Sequence, residues 1–165
     1  MKKYLLILYI LLLTLTLGAN PAQVSITLTT SVPGYLYHGF LDSPITTTFV
    51  TTSPTVNDAF NPAGAILNYG IRTNVGLPLT VKATIAPFEE QDVIDPAYIA
   101  IDQVIMDGDL IPLDGGKYQI LHFTPQSGTI FYAHKLTVLV DQNILDSKPI
   151  GNYVSNVAID IETGS

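Results

Sequence analysis

Ile66-Leu-Asn-Tyr-Gly-Ile-Arg-Thr-Asn-Val75, then Gly76-Leu-Pro78, then Leu79-Thr-Val-Lys-Ala-Thr-Ile85 reads as a strand, a turn and a second strand. β-branched and aromatic residues fill both runs, and glycine and proline separate them. The same pattern recurs on either side. Tyr35–Leu41 and Ile45–Thr52 precede the pair. Tyr98–Met106, a short Leu110–Leu113, Tyr118–Phe123, Phe131–Val140 and Asn152–Glu162 follow it. Asp107-Gly108 and Asp114-Gly115-Gly116 are hairpin turn signals. After residue 22 no apolar series holds helical spacing for more than a turn or two. The 11 prolines and 12 glycines are spread as punctuation. About nine short strands predict an all-β sandwich with Greek-key connections, with a closed barrel as the other architecture. Phe88–Pro96 is acidic and lacks alternation, so it reads as a loop with at most one helical turn.

The chain has 165 residues, which suits one domain. Lys2 and Lys3, the apolar run Leu5–Leu17 and the small residues Gly18, Ala19 and Ala22 make residues 1–22 a secretory signal peptide, cleaved between 18 and 22. The apolar run is short for a membrane span, which needs about 20 residues. Lys2 and Lys3 leave with the signal, so five basic residues face 14 acidic ones and the net charge becomes −9. Such a surface repels nucleic acid and anionic lipid. The absence of cysteine excludes a disulfide scaffold, a thiolate metal site and a cysteine nucleophile.

Residues 23–32 stand apart from the domain, 33–165. Val24, Ile26 and Leu28 alternate with Ser25, Thr27 and Thr29, and Val32 returns to the apolar face after Thr30. The segment has no charge, and Pro33-Gly34 uncouples it from Tyr35 onward. An uncharged alternating strand seeks a sheet edge, and left exposed it invites aggregation. It is either the first strand of its own sandwich or a strand lent to a neighbour. At the other end, Tyr153, Val157, Ile159 and Ile161 share one face of the closing strand, with Ser155 as the polar exception.

Three stretches carry a likeness to a known family. They are Val24-Ser-Ile-Thr-Leu-Thr-Thr-Ser-Val-Pro33, Leu67-Asn-Tyr-Gly-Ile-Arg-Thr-Asn-Val75 with Leu79-Thr-Val-Lys-Ala83, and Pro149-Ile-Gly-Asn-Tyr-Val-Ser-Asn-Val-Ala-Ile159. In this order they resemble major pilin subunits of the chaperone–usher pathway, in the alternate-chaperone (alpha) class of colonisation-factor fimbriae. The resemblance implies an immunoglobulin-like sandwich that lacks one strand and is completed by a neighbour's N-terminal strand. Val24, Ile26, Leu28, Thr30 and Val32 would form the donor face. Tyr153, Val157, Ile159 and Ile161 would line part of the acceptor groove. It implies neighbouring copies of the chain, a periplasmic chaperone and an outer-membrane usher as partners, together with a tip adhesin and a host-surface receptor. It also implies export through the periplasm to the cell surface. Phe88–Gly128 matches nothing in the family pattern.

No motif in the chain points to catalysis. His38, His122 and His134 fall on different strands, without metal-ligand spacing. Asp107, Asp109 and Asp114 offer oxygen ligands but lack a glutamate at the distance a calcium loop needs. Pro125-Gln-Ser-Gly128 lacks the first glycine of a nucleophile elbow, and no glycine-rich phosphate loop is present. Glu89, Glu90, Asp92 and Asp95 read as a solvated acidic loop. The expectation is therefore a non-enzymatic structural subunit, without metal or cofactor, that polymerises by donor-strand exchange into an adhesive fibre. The alternatives are a monomeric or tip-located carbohydrate-binding sandwich, with Tyr35, Tyr37 and Tyr132 stacking on sugar, and a secreted coat protein using the same exchange.

Overall fold

The computed structural model describes residues 33–50 and 59–164. The expected signal peptide and the donor-face residues Val24, Ile26, Leu28, Thr30 and Val32 lie outside the described residues. Twelve strands follow in order: β1 (Leu36–Leu41), β2 (Ala65–Thr73), β3 (Leu79–Ile85), β4 (Phe88–Glu90), β5 (Tyr98–Ile99), β6 (Ile101–Met106), β7 (Asp109–Leu110), β8 (Leu113–Asp114), β9 (Lys117–Phe123), β10 (Ile130–Val140), β11 (Tyr153–Val154) and β12 (Val157–Thr163). One helical turn, α1 (Gln142–Leu145), separates β10 from β11. Asp141 caps it by accepting the Asn143 N–H.

One sheet has the order β1-β2-β10-β6-β7 and a second the order β12-β3-β9-β8, while β11, β4 and β5 make a small third sheet. All pairings are antiparallel. Period 2 sends one row of each large sheet inward. Leu67, Tyr69 and Ile71 of β2, Leu136 and Val138 of β10, and Val104 and Met106 of β6 meet Leu79, Val81 and Ala83 of β3 and Tyr118 and Ile120 of β9 in one core. The molecule is thus an all-β sandwich of two separate sheets, not a closed barrel. β1, β2, β10 and β6 match strands A, B, E and D of an immunoglobulin sandwich and β12 and β3 match F and C, whereas β9, which pairs with β3 but follows β6 in the chain, has no counterpart in that order.

Five stretches differ from the sequence reading. Ile45–Thr52 is not a strand over its described part: Phe49 touches β1 through a single bridge to Leu41, and Ile45 is 91% exposed. Thr46 Oγ1 accepts the Thr48 N–H at 3.2 Å and donates to the Thr48 carbonyl at 3.3 Å, and such local bonds compete with a ladder. Phe88–Glu90, expected in a loop, is strand β4. Phe88 is buried and packs edge-on against Phe60 with ring centroids 5.1 Å apart. Glu90, two residues on, is also buried, and its Oε2 accepts the Ala97 N–H at 3.2 Å. A buried carboxylate hid the alternation. The other three are Tyr98–Met106, which splits at Ala100, Asn152–Glu162, which splits at Ser155-Asn156, and Leu110–Leu113, whose ends fall in β7 of the first sheet and β8 of the second because Ile111-Pro112 carries the chain from one sheet to the other. At the second split the Ser155 hydroxyl donates to the Ala86 carbonyl at 2.6 Å, and the Ala86 N–H donates to the Asn156 carbonyl at 3.0 Å.

The outer face of the first sheet carries its own aromatic cluster. Arg72 stacks on Phe131 and Phe49, its guanidinium carbon 5.7 Å and 6.0 Å from the two ring centroids. Gly70 lies beneath these rings. A Cβ there would stand 2.8 Å from Leu41, 2.9 Å from Phe131 and 3.1 Å from Phe49. Gly70→Ala should therefore destabilise the domain by about 1–3 kcal/mol through overpacking. A lowered urea midpoint with an unchanged denaturant slope is the expected reading. An unchanged midpoint would show that the rings move aside freely.

Candidate functional site

β12 closes one margin of the second sheet. Among the described residues it pairs on one side only, with β3, from Val157↔Ile85 to Thr163↔Leu79. Its inward row is Val157, Ile159 and Ile161, opposite Ile85, Ala83 and Val81 on β3. Ala83 and Val81 are wholly buried, whereas the three β12 side chains are half-buried. The difference follows from position, because an edge strand has a neighbour on one side only.

β1 closes the corresponding margin of the first sheet, pairing with β2 through Leu36↔Thr73 to Leu41↔Asn68. β9 lies over β10, since the Phe123 and Tyr132 rings meet at 4.8 Å. The charge of Asp160 on β12 reaches His38 on β1, so β12 lies on the β1 side. Leu36, His38 and Phe40 form the inward row of β1. Leu36 and Phe40 pack half-buried on the core, as Val157, Ile159 and Ile161 do from β12. The two edge rows, both half-buried on the same core, are the candidate walls of a cleft. The outer edge of β1 is capped at one end, where the Val50 N–H donates to the Phe40 carbonyl at 2.9 Å.

His38 is the polar member of this cleft. It points inward yet is exposed. Tyr69, across the strand pair, places its hydroxyl 3.0 Å from His38 Nδ1. Burial pushes the Tyr69 phenol far above its usual range, so it stays protonated, and the imidazole tautomer sets which of the two groups donates. Partial burial lowers the His38 pKa from 6.5, and Asp160 on β12 opposes that shift through its charge. Asp160 lies on the outward row of β12, where Lys117 Nζ approaches it at 2.9 Å and holds its carboxyl below the usual range. Glu162, on the same row, pairs with Lys82 at 2.9 Å.

Of the four residues expected in the acceptor groove, Val157, Ile159 and Ile161 stand together. Tyr153 stands apart on β11, opposite Glu90, with its ring 5.7 Å from Phe60 in a second apolar cluster. The irregularity at Ser155-Asn156 separates it from the row it was grouped with. The sequence reading missed Leu36, His38 and Phe40 as a second wall; the alternation of Leu36-Tyr-His-Gly-Phe40 was the available signal. Tyr35 and Tyr37 are neighbours with ring centroids 5.5 Å apart, and Tyr37 is exposed. Tyr132 faces inward against Phe123 and accepts the Gln126 N–H, so the three tyrosines do not form one platform.

The remaining polar candidates are used locally. Asp107 accepts from His134 Nδ1 and from the Lys135 N–H, both at 2.7 Å. His134 Nε2 is buried without a partner among the described residues. Thr80 Oγ1 lies 3.0 Å from His122 Nδ1. Among the described residues no group of three or more His, Cys, Asp or Glu could hold a metal ion. No described helix is long and apolar enough to cross a membrane. No family model matches the sequence, and no curated protein matches it.

The lowered His38 pKa has a defined sign. The folded chain binds this proton less readily than the unfolded chain, so stability rises with pH through the window just below 6.5 and is lost as the pH falls through it. His38→Gln should flatten this part of the pH–stability curve while leaving the acid limb set by the carboxylates. Urea midpoints between pH 7.5 and pH 5 measure it. An unchanged slope in the variant would assign the titration to another group.

Proposed function

We propose that this chain is a structural fimbrial subunit that receives a neighbour's N-terminal strand along β12 and polymerises by donor-strand exchange. One observation carries the reading. An edge strand keeps Val157, Ile159 and Ile161 half-buried, opposite the equally half-buried Leu36 and Phe40. In immunoglobulin-like order the strand beside F is G, and among the described residues that place beside β12 is not filled. The alternating segment Val24–Val32 has the chemistry to fill it.

The magnitudes favour a durable contact. Each of Val24, Ile26, Leu28 and Val32 contributes about 1.5–3 kcal/mol when fully buried. Ladder hydrogen bonds add about 0.5–1.5 kcal/mol each. Ordering the segment costs about 1–2 kcal/mol per residue and offsets much of the gain. The added strand also covers the cleft walls, whose burial counts on the same side. A strand lent head to tail generates an open fibre rather than a closed ring. On this reading the chain passes a periplasmic chaperone and an outer-membrane usher and ends at the cell surface in an adhesive fibre. Its partners are copies of itself, a tip adhesin and a host-surface receptor; it does no catalysis.

Deleting residues 23–32 from the exported chain should abolish polymers. Restoring the same ten residues after Ser165 should give a stable, self-filled monomer. Size-exclusion chromatography and electron microscopy read both outcomes. Polymers that persist after the deletion would sink the proposal.

A further inference from the structure

Pro33–Tyr35 connects the expected donor strand to β1, and this root is fastened to the domain. Asn74 Nδ2 donates to the Pro33 carbonyl at 3.0 Å, and Asn74 Oδ1 accepts the Tyr35 N–H at 2.7 Å. Thr73 Oγ1 donates to the Tyr35 carbonyl at 2.9 Å, and the Tyr35 hydroxyl donates to Thr129 Oγ1 at 2.7 Å. Three residues span at most about 11 Å. A subunit whose donor strand lies in a neighbour is therefore held with its root against that neighbour's surface.

The direction of the added strand decides which surface that is. β12 runs from the small sheet at Val157 to the Pro78 end, where the Gly164 N–H bonds the Pro78 carbonyl at 2.7 Å. An antiparallel addition, the sense of all the pairings described, runs back toward Val157. The donor's root then emerges beside β11, β4 and β5. This end of the molecule sets large exposed apolar side chains among the exposed carboxylates Glu89, Asp92 and Asp95. Ile94 and Ile150 are fully exposed, at 105% and 106%, and Val154 and Tyr98 are exposed on either side of Glu89 in the sheet register. At the other end, beside the root, the turn between β2 and β3 exposes Leu77. Isolated exposed apolar residues need no explanation, but a group gathered at one end marks a contact surface.

We propose that this end is a docking face for the root end of the next copy of the chain. Ile94, Ile150 and Val154 seat against the donor subunit's Leu77 turn while its strand fills the β12 edge. The inference rests on the strand-donation reading. It adds that successive subunits abut at a fixed angle rather than hang from a free hinge, because the root is pinned by Asn74 and the connection is short.

The test uses the full-length chain assembled into fibres, with the double variant Ile94→Ser/Ile150→Ser and, as control, Leu110→Ser on the exposed β7 hairpin. All three sites are exposed, so the urea midpoint of the unassembled variants should match the parent. Fibres of the double variant should dissociate in denaturant at least about tenfold faster than parent fibres, the scale expected when a buried isoleucine contact is lost. Control fibres should keep the parent rate. Equal rates for parent and double variant overturn the docking face, and so does an equal acceleration in the control. A double variant that assembles normally but no longer binds a foreign protein or surface also overturns it, since the face then serves another occupant. Polymers that survive deletion of 23–32 remove the underlying reading. Fibres that need 23–32 but ignore the double substitution remove only the docking face.

Discussion

The inward rows of β2 and β3 can be sealed only if each strand has a neighbour on both sides. β2 lies between β1 and β10, and β3 lies between β12 and β9. Tyr69, Ile71, Leu79, Val81 and Ala83 accordingly show no exposed surface. Among the described residues the outermost rows have no such cover. Leu36 and Phe40 on β1 and Val157, Ile159 and Ile161 on β12 carry the same apolar chemistry, yet they remain half open. The contrast is one of position rather than composition. A sandwich with this strand order seals its middle first and leaves any deficit at the β1 and β12 margins, where a further strand has most to gain by entering.

Much of the fold was legible in the residues. β2, β3, β9 and β10 were read within a residue or two because their Val, Ile, Leu and Tyr alternate with polar residues and turns bound them. The reading failed where that signal was mimicked or masked. Ile45–Thr52 has strand composition, but Thr46 and Thr48 satisfy one another locally and the apolar Ile45 finds nothing to bury against. Phe88–Glu90 has an acidic sequence, yet it pairs with both β5 and β11 because the Ala97 N–H supplies Glu90 with a partner. Neither outcome can be read from hydropathy, since both depend on particular hydrogen bonds, one set between near neighbours and one across a loop.

The candidate site was legible by halves. The row Val157, Ile159, Ile161 follows from simple alternation, and the structure keeps it on one face. Tyr153 has the same parity in the sequence, but the bonds between Ser155, Asn156 and Ala86 break the strand, and parity does not carry across the break. The opposing wall was invisible as a wall, because which strand faces β12 depends on the order of both sheets. His38 looked like an ordinary strand histidine. Only the Tyr69 hydroxyl behind it and the charge of Asp160 across from it give it a distinct environment.

An exposed edge with an apolar row must be kept from indiscriminate pairing, and the two margins carry devices suited to that. On β12 the outward row alternates with the apolar one as Asp160 and Glu162, each held by a lysine at 2.9 Å. On β1 the capped Phe40 end shortens the open edge, and His38 interrupts the inward row between Leu36 and Phe40. A wholly apolar cleft would take any alternating strand in several registers, since a slip of two residues keeps the same face inward. On the strand-donation reading, one imidazole in the middle of a wall would remove that degeneracy. A strand that slides by two residues brings a different side chain to the polar position, and a mismatch there leaves a buried donor or acceptor unpaired. Such a loss costs about 1–3 kcal/mol, enough to favour one register over its neighbours.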